Sequence, residues 1–232
     1  MNTTIKSIID ERGITELYHF TRIENLESIV ENGIWPVSEM KKEGVSFLEN
    51  DKYRNDHRMD CNCISISCPN LELLKSYKRK YGGHWVMIEL DPCVLYETPC
   101  YFAEHNAATR IIASNLAMRT GADALENMFK RRLDIQLTDR VESFGRFEVR
   151  EFPNFPTSPQ AEVLVKGRIG IDLVKNITFE NTNDADKYRG VLDEKNINSC
   201  VNNKVFTMTR YEWIQKEELE RIFAPWLKNS VS

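Results

Sequence analysis

The chain has 232 residues and a mass of 27.1 kDa, with 41% hydrophobic and 28% charged residues, an ordinary globular balance that excludes the disordered and collagen-like classes. A formal net charge of −4 excludes a protein that coats nucleic acid by bulk charge, while leaving room for a local basic face. The opening MNTTIKSIIDERG has no apolar signal core and no apolar run is long enough for a bilayer, so a cytoplasmic protein with no membrane contact and with reduced cysteines is expected.

No repeat and no Gly/Ser/Pro-rich linker divides the sequence, so residues 1–232 read as one domain. Leu17 to Thr21 (LYHFT) predicts a short strand. Thr21-Arg-Ile-Glu24 has the spacing of a capping box and predicts a helix carrying Ile23, Leu26, Ile29 and Val30 on one face. Asn32-Gly33 stops that helix. Val45 to Asp60 is polar and mixed in sign, a loop with room for one short helix. Cys63 to Ser67 alternates as a strand, and Pro69-Asn70 starts a helix through about Tyr81, followed by a Gly82-Gly83 turn. Trp85 to Leu90 (WVMIEL) is a strand bounded by Asp91-Pro92. A strand over Thr98 to Phe102 precedes helices over Ala107 to Arg119 and Ala122 to Arg131, parted by Thr120-Gly121. Arg146 to Phe152 reads as a strand before the Pro-rich stretch Pro153 to Pro159. Ala161 to Val165 and Asn176 to Phe179 follow as strands, and residues 184–194 and 210–227 as helices. Short strands with irregularly interspersed helices give an α+β fold.

Two strands carry chemistry. The first delivers His19 directly ahead of a helix bearing Asn25 and Leu26. In the second, Pro159-Gln-Ala-Glu-Val-Leu-Val165, strand alternation sends Glu162 and Leu164 to one face and Ala161, Val163 and Val165 to the other. A carboxylate beside Leu164 on an apolar strand suits a cleft better than open water, although a Glu on a strand can also simply face solvent.

These blocks, YHFTRIENLESIVENGI and PQAEVLV, resemble the DarT family of nucleic-acid ADP-ribosyltransferases. Arg58-Met-Asp60, Ile64 to Ser67, Trp85 to Asp91, Asn106-Ala-Ala108 and Gly121 with Phe129 extend the resemblance over about residues 17–180. It implies an ADP-ribosyltransferase-like core, a split, twisted β-sheet with surrounding helices, while residues 183–232, outside the resemblance, read as a C-terminal helical extension. It implies NAD⁺ as co-substrate, with Glu162 as the catalytic carboxylate and His19 on the ribose. Thr21 and Asn25 would place the nicotinamide end. Arg58 would bind the pyrophosphate or stabilise the site, with Arg54 competing for that role, since a guanidinium suits phosphate. The implied acceptor is a base of single-stranded DNA, guanine favoured over thymine, in the toxin of a toxin–antitoxin or phage-defence system with an antitoxin protein as partner. An RNA base, a protein acceptor, or a non-catalytic nucleic-acid-binding module are the alternatives.

Lys75, Lys78, Arg79 and Lys80, interleaved with Tyr77 and Tyr81, could hold a single strand by stacking and charge. Lys130, Arg131 and Arg132 form a second cluster. Basic residues at a helix C-terminus also simply complement its dipole. Cys61-x-Cys63 with Cys68 invites a zinc reading, but a second Cys or His pair is missing, and the strand sends Cys61 and Cys63 to one face and Cys68 to the other. Structural thiols and no metal are expected.

Overall fold

The structure is a computed structural model that describes residues 3–49, 54–147, 149 and 151–228, the side chains of 220–228 excepted. Its first elements are helix α1 (Ile5–Arg12), strand β1 (Leu17–Arg22), and helices α2 (Leu26–Asn32) and α3 (Val37–Glu43). Strand β2 (Cys61–Ile66), helix α4 (Leu71–Tyr81), strand β3 (Trp85–Leu90), helix α5 (Val94–Glu97) and strand β4 (Cys100–Ala103) come next. Helices α6 (Arg110–Ala113) and α7 (Gly121–Asn127) lead to the hairpin β5 (Arg132–Gln136) and β6 (Val141–Gly145). Strands β7 (Glu162–Lys166) and β8 (Val174–Phe179), helix α8 (Thr182–Glu194), strand β9 (Asn198–Val201) and helix α9 (Arg210–Lys228) complete the chain.

One sheet runs in the order β4-β7-β2-β1-β3-β8-β9. Its neighbours are antiparallel except β8 and β9, which run parallel. The sheet is split in the middle. β1 pairs with β3 along its whole length, from Leu17↔Leu90 to Arg22↔Trp85, and β2 pairs with β7 from Cys61↔Lys166 to Ile64↔Val163. Between β1 and β2, the pairing covers Leu17↔Ile66 and Tyr18↔Ser65, and beyond that the two strands diverge.

The core follows from strand alternation. Leu17, Val86, Ile88, Leu90, Val163 and Val165 face α1, α2, α5, α7 and α8 in one buried cluster. On the opposite face two separate clusters form. Tyr18, Trp85 and Met87 pack with Leu71, Leu74, Phe206, Trp213 and Ile214. Cys61 and Leu164 pack with Ala103, Ala107, Ile112 and Leu116. The gap between those two clusters lies over the split.

Most expected elements form, with four corrections. Thr21 stays in the strand instead of capping a helix. A 3₁₀ turn over Ile23–Asn25 intervenes, and Arg22 in the cap position makes no side-chain cap bond. The helix expected over 107–119 breaks into the four residues of α6 and a 3₁₀ turn at Leu116–Met118. The strand expected over 146–152 is absent among its described residues, 148 and 150 lying outside the described set, and the strand pairing sits upstream in β5 and β6. The C-terminal extension is not purely helical, because β9 adds a parallel edge strand to the sheet. The helix α1, with a Thr4–Ser7 capping box, was not anticipated.

Gly33 ends α2 at φ +81°, where a Cβ would fall 2.3 Å from the Ile169 carbonyl oxygen. Only glycine lets the chain pass here, and it does so to form the Ile34–Ile169 bridge that closes the end of the split.

Candidate active site

A cavity of about 200 Å³ occupies the split. Its walls come from β1 (His19, Thr21), β2 (Cys63, Ser65), the 3₁₀ turn before α2 (Asn25), α2 (Ser28), the stretch after α2 (Trp35), the 47–49 segment, Arg54, Asp56, α4 (Tyr77), Asn106 and Glu162. Its volume is several times the roughly 30 Å³ a water occupies in the liquid.

Glu162 begins β7, opposite Ala103 of β4, and is 7% exposed. Burying a carboxylate is expensive unless donors meet it. The backbone N–H of Ala107 donates to Glu162 Oε2 at 2.9 Å. Asn106 Oδ1 accepts the next N–H, from Ala108, at 2.9 Å.

His19 lies where β1 leaves β2. Its Nδ1 sits 2.9 Å from the Cys63 carbonyl oxygen, which can only accept, so Nδ1 carries the hydrogen. Burial, aided by the Arg54 charge and opposed by the Cys63 hydrogen bond, lowers the His19 pKa below the ordinary histidine value. The ring is therefore neutral near pH 7, and Nε2 is an acceptor.

Thr21 and Asn25 line the cavity together, and their polar groups are largely spent on each other and on the chain. Asn25 Nδ2 donates to Thr21 Oγ1 and to the Leu48 carbonyl, each at 3.0 Å. Asn25 Oδ1 accepts the Leu48 N–H at 2.8 Å. One side-chain amide thus pairs with both backbone groups of Leu48 and straps residues 47–49 over the cavity. Glu49 adds an ion pair to Lys41 at 2.6 Å.

The two arginines separate. Arg54 lines the cavity, in the positive-φ region at 33°, and is held by both Asp56 oxygens at 3.1 Å, the Cys61 carbonyl at 3.2 Å and the Arg58 carbonyl at 2.7 Å. Burial opposes its charge, but its neighbours, Asp56 among them, outweigh this, so its pKa lies above the ordinary value. Arg58, the residue preferred from sequence, is not among the cavity-lining residues. Its guanidinium lies 4.2 Å from the Tyr101 ring centroid and pairs with Asp60 at 3.2 Å. Cys63 is in the cavity wall, yet burial pushes its thiol pKa up, which removes it as a thiolate nucleophile. Cys61 and Cys63 pack in one of the two clusters on the same side of the sheet and Cys68 in the other. The opposite faces expected from the strand pattern do not form, because Cys68 lies beyond the end of β2.

The basic helix is not one uniform nucleic-acid face. Tyr77 points inward, stacked on Trp85 with centroids 6.1 Å apart, and lines the cavity. Lys78 pairs with Glu180 at 2.7 Å and Lys75 with Glu72 at 3.2 Å. Arg79 and Lys80 are exposed, with the Lys80 Nζ 4.9 Å from the Tyr81 ring.

Several wall residues escaped sequence reasoning: Trp35, the 47–49 segment, Asp56 and Asn70. Trp35 carries Arg168 over its ring at 3.4 Å, and Arg168 in turn pairs with Glu39 at 2.5 Å. Tyr77, read from sequence as a stacking residue for a single strand, instead shares one inward helix face with Leu74 and Tyr81 at i, i+3 and i+7. His105, 2% exposed and 2.8 Å from Ser158 Oγ, is a further buried titratable group.

A split sheet that holds a buried glutamate and a neutral histidine around one cavity defines the ADP-ribosyltransferase class. The sequence model of the family described as "ssDNA thymidine ADP-ribosyltransferase, DarT" matches residues 18–210, and the chain belongs to the DarT family. No curated protein matches it by sequence. Among solved structures, DarT of Thermus sp. 2.9 in complex with ADP-ribosylated ssDNA is similar at a TM-score of 0.54 and 14% identity, over 84% of this chain and 97% of that one. The same protein in complex with NAD⁺ gives 0.50 and 13%, over 83% and 97%. Thermosipho africanus DarTG in complex with ADP-ribose gives 0.53 and 15%, covering 84% of this chain and 51% of that one, so this chain spans about half the length of that relative. At these identities the structural likeness establishes the fold.

Proposed function

We propose that this enzyme transfers ADP-ribose from NAD⁺ to a base of single-stranded DNA, and the observation that carries the proposal is the buried Glu162 carboxylate facing the same cavity as His19. The nicotinamide–ribose bond breaks with its electron pair going to nicotinamide, which leaves positive charge on the ribose. With Oε2 anchored by Ala107, Glu162 holds the ribose 2′-hydroxyl and offsets that charge. It then accepts the proton from the attacking base nitrogen. His19 Nε2 accepts from a ribose hydroxyl. Arg54, the one Lys or Arg among the described cavity-lining residues, faces the pyrophosphate, and Arg58 supports it by offering its carbonyl. Asn25 acts through the 47–49 strap, and Thr21 fixes Asn25.

Family membership supports single-stranded DNA as the acceptor and NAD⁺ as the donor. The Thermus DarT complexes with NAD⁺ and with ADP-ribosylated ssDNA agree with that reading. Within it we favour guanine, on the resemblance of the middle blocks, although the family description names thymidine. The same membership supports a toxin role with an antitoxin partner, in a toxin–antitoxin or phage-defence setting. The test is intact-mass analysis of short single-stranded oligonucleotides after reaction with NAD⁺, one base varied at a time. An ADP-ribose adduct on guanine-containing DNA is expected. An adduct on thymine alone replaces the base, and an adduct on RNA alone overturns the DNA reading. No nicotinamide release with any nucleic acid overturns the enzyme.

A further inference from the structure

Asn70 is the N-cap of α4, and its Oδ1 accepts the Leu73 N–H at 3.1 Å. That bond fixes which end of the amide is which. The other end, Nδ2, is buried and has no hydrogen-bond partner, in a residue 3% exposed that lines the cavity. A buried donor without an acceptor is rare and costly to keep. Around it the wall is apolar: Phe20, Leu73 and Tyr77 line the same cavity.

The catalytic carboxylate lines the same cavity. Ile64 and Val163 are partners across β2 and β7, so Ser65, which follows Ile64, neighbours Glu162, which precedes Val163. Ser65 in turn pairs with Tyr18. The part of the cavity lined by Asn70 belongs to the same space that Glu162 lines. It combines apolar walls with one unmatched donor. Phosphates do not suit it, because Arg54 is the only Lys or Arg among the described lining residues and belongs to the 54–56 segment. A flat ring bearing an acceptor oxygen does suit it.

We propose that Asn70 is a positioning residue for the leaving group, its Nδ2 donating to the carboxamide oxygen of nicotinamide while the ring lies against Tyr77. This rests on the NAD⁺ reading above. It places the unpaired donor where it gains an acceptor only when substrate or nicotinamide is bound, and it orients the ring so that its bond to ribose faces Glu162.

The test compares wild type with Asn70→Asp and Asn70→Ser. Both substitutions keep a side-chain oxygen able to cap α4, and both remove the amide donor. Equilibrium binding of nicotinamide and of ADP-ribose is measured, neither of which the enzyme can turn over, together with KM for NAD⁺. Both variants are expected to weaken nicotinamide and raise KM for NAD⁺ by roughly tenfold, with ADP-ribose binding unchanged. ADP-ribose carries the adenine, the phosphates and the ribose, so its loss alongside nicotinamide would mean a general distortion or charge effect and overturns the assignment. Unchanged nicotinamide binding overturns it as well. In both cases wild-type binding leaves the NAD⁺ reading intact. Wild-type protein that binds neither NAD⁺ nor ADP-ribose overturns that reading and this one with it.

Discussion

The N–H of Ala107 and the Oε2 of Glu162 are bonded at 2.9 Å across 55 residues of sequence. One carboxylate oxygen thereby ties the 107 segment to the start of β7. Glu162→Gln keeps an oxygen for Ala107 and loses the charge. The variant is expected to fold, with nicotinamide release down by roughly 10²–10⁴-fold. Wild-type-like release from a folded variant would remove Glu162 from the mechanism.

Asn25→Ala removes three hydrogen bonds, two of them the clamp on Leu48. At about 1 kcal/mol each, the strap over the cavity loosens by about 2 kcal/mol. Hydrogen exchange at the Leu48 amide should accelerate accordingly, and KM for NAD⁺ should rise more than kcat falls. A protected Leu48 amide in the variant would refute the strap.

Arg54→Lys and Arg58→Ala should behave in opposite ways. Lysine cannot reproduce the fork that meets Asp56 and two carbonyls, so KM for NAD⁺ should rise by roughly tenfold or more. Arg58→Ala should cost about 1 kcal/mol of stability through the lost Tyr101 contact and leave KM nearly unchanged. Steady-state kinetics on both variants decides which arginine serves the cavity.

How much of this was legible beforehand differs element by element. β1, β3, α4 and β7 announce themselves through local patterns of period two or 3.6, and Glu162 stood out because a charge interrupted an apolar strand. The break in the 107–119 helix falls at Ser114–Asn115, where no glycine or proline marks it. The β5–β6 hairpin was hidden because Lys130-Arg131-Arg132 reads as a helix end while Leu133 and Ile135 begin an alternation. Arg54 and Arg58 sit in one polar stretch with equal claims, and only chain closure around Asp56 distinguishes them.

Acid should weaken the fold through its buried histidines. The pKa of His19 is lowered from 6.5 in the fold, and that of His105 likewise, in both cases chiefly by burial. As pH falls through about 6.5 the unfolded chain takes up protons that the fold resists, so stability is fully present above that value and declines below it. Thermal melts from about pH 8 to about pH 5 should show a shallower acid decline for His19→Gln than for wild type. Parallel curves would show that His19 titrates alike in both states.

Gly33→Ala should destabilise by roughly 1–3 kcal/mol, because a methyl group would collide with the Ile169 carbonyl at an already left-handed φ. Urea unfolding measures this. An unaffected midpoint would mean the Ile34–Ile169 bridge can shift without cost.

Arg210 donates to the carbonyls of Pro156 and Thr157, and Trp213 Nε1 donates to the Ser67 carbonyl at 3.1 Å. These tethers hold the loop entering β7 and the end of β2, yet they come from α9. During synthesis every described residue lining the cavity leaves the ribosome before them. The segment leading into Glu162 therefore waits for a helix begun 53 residues after Thr157 before its last bonds close, and a partly made chain carries all the chemistry without the framework that aims it.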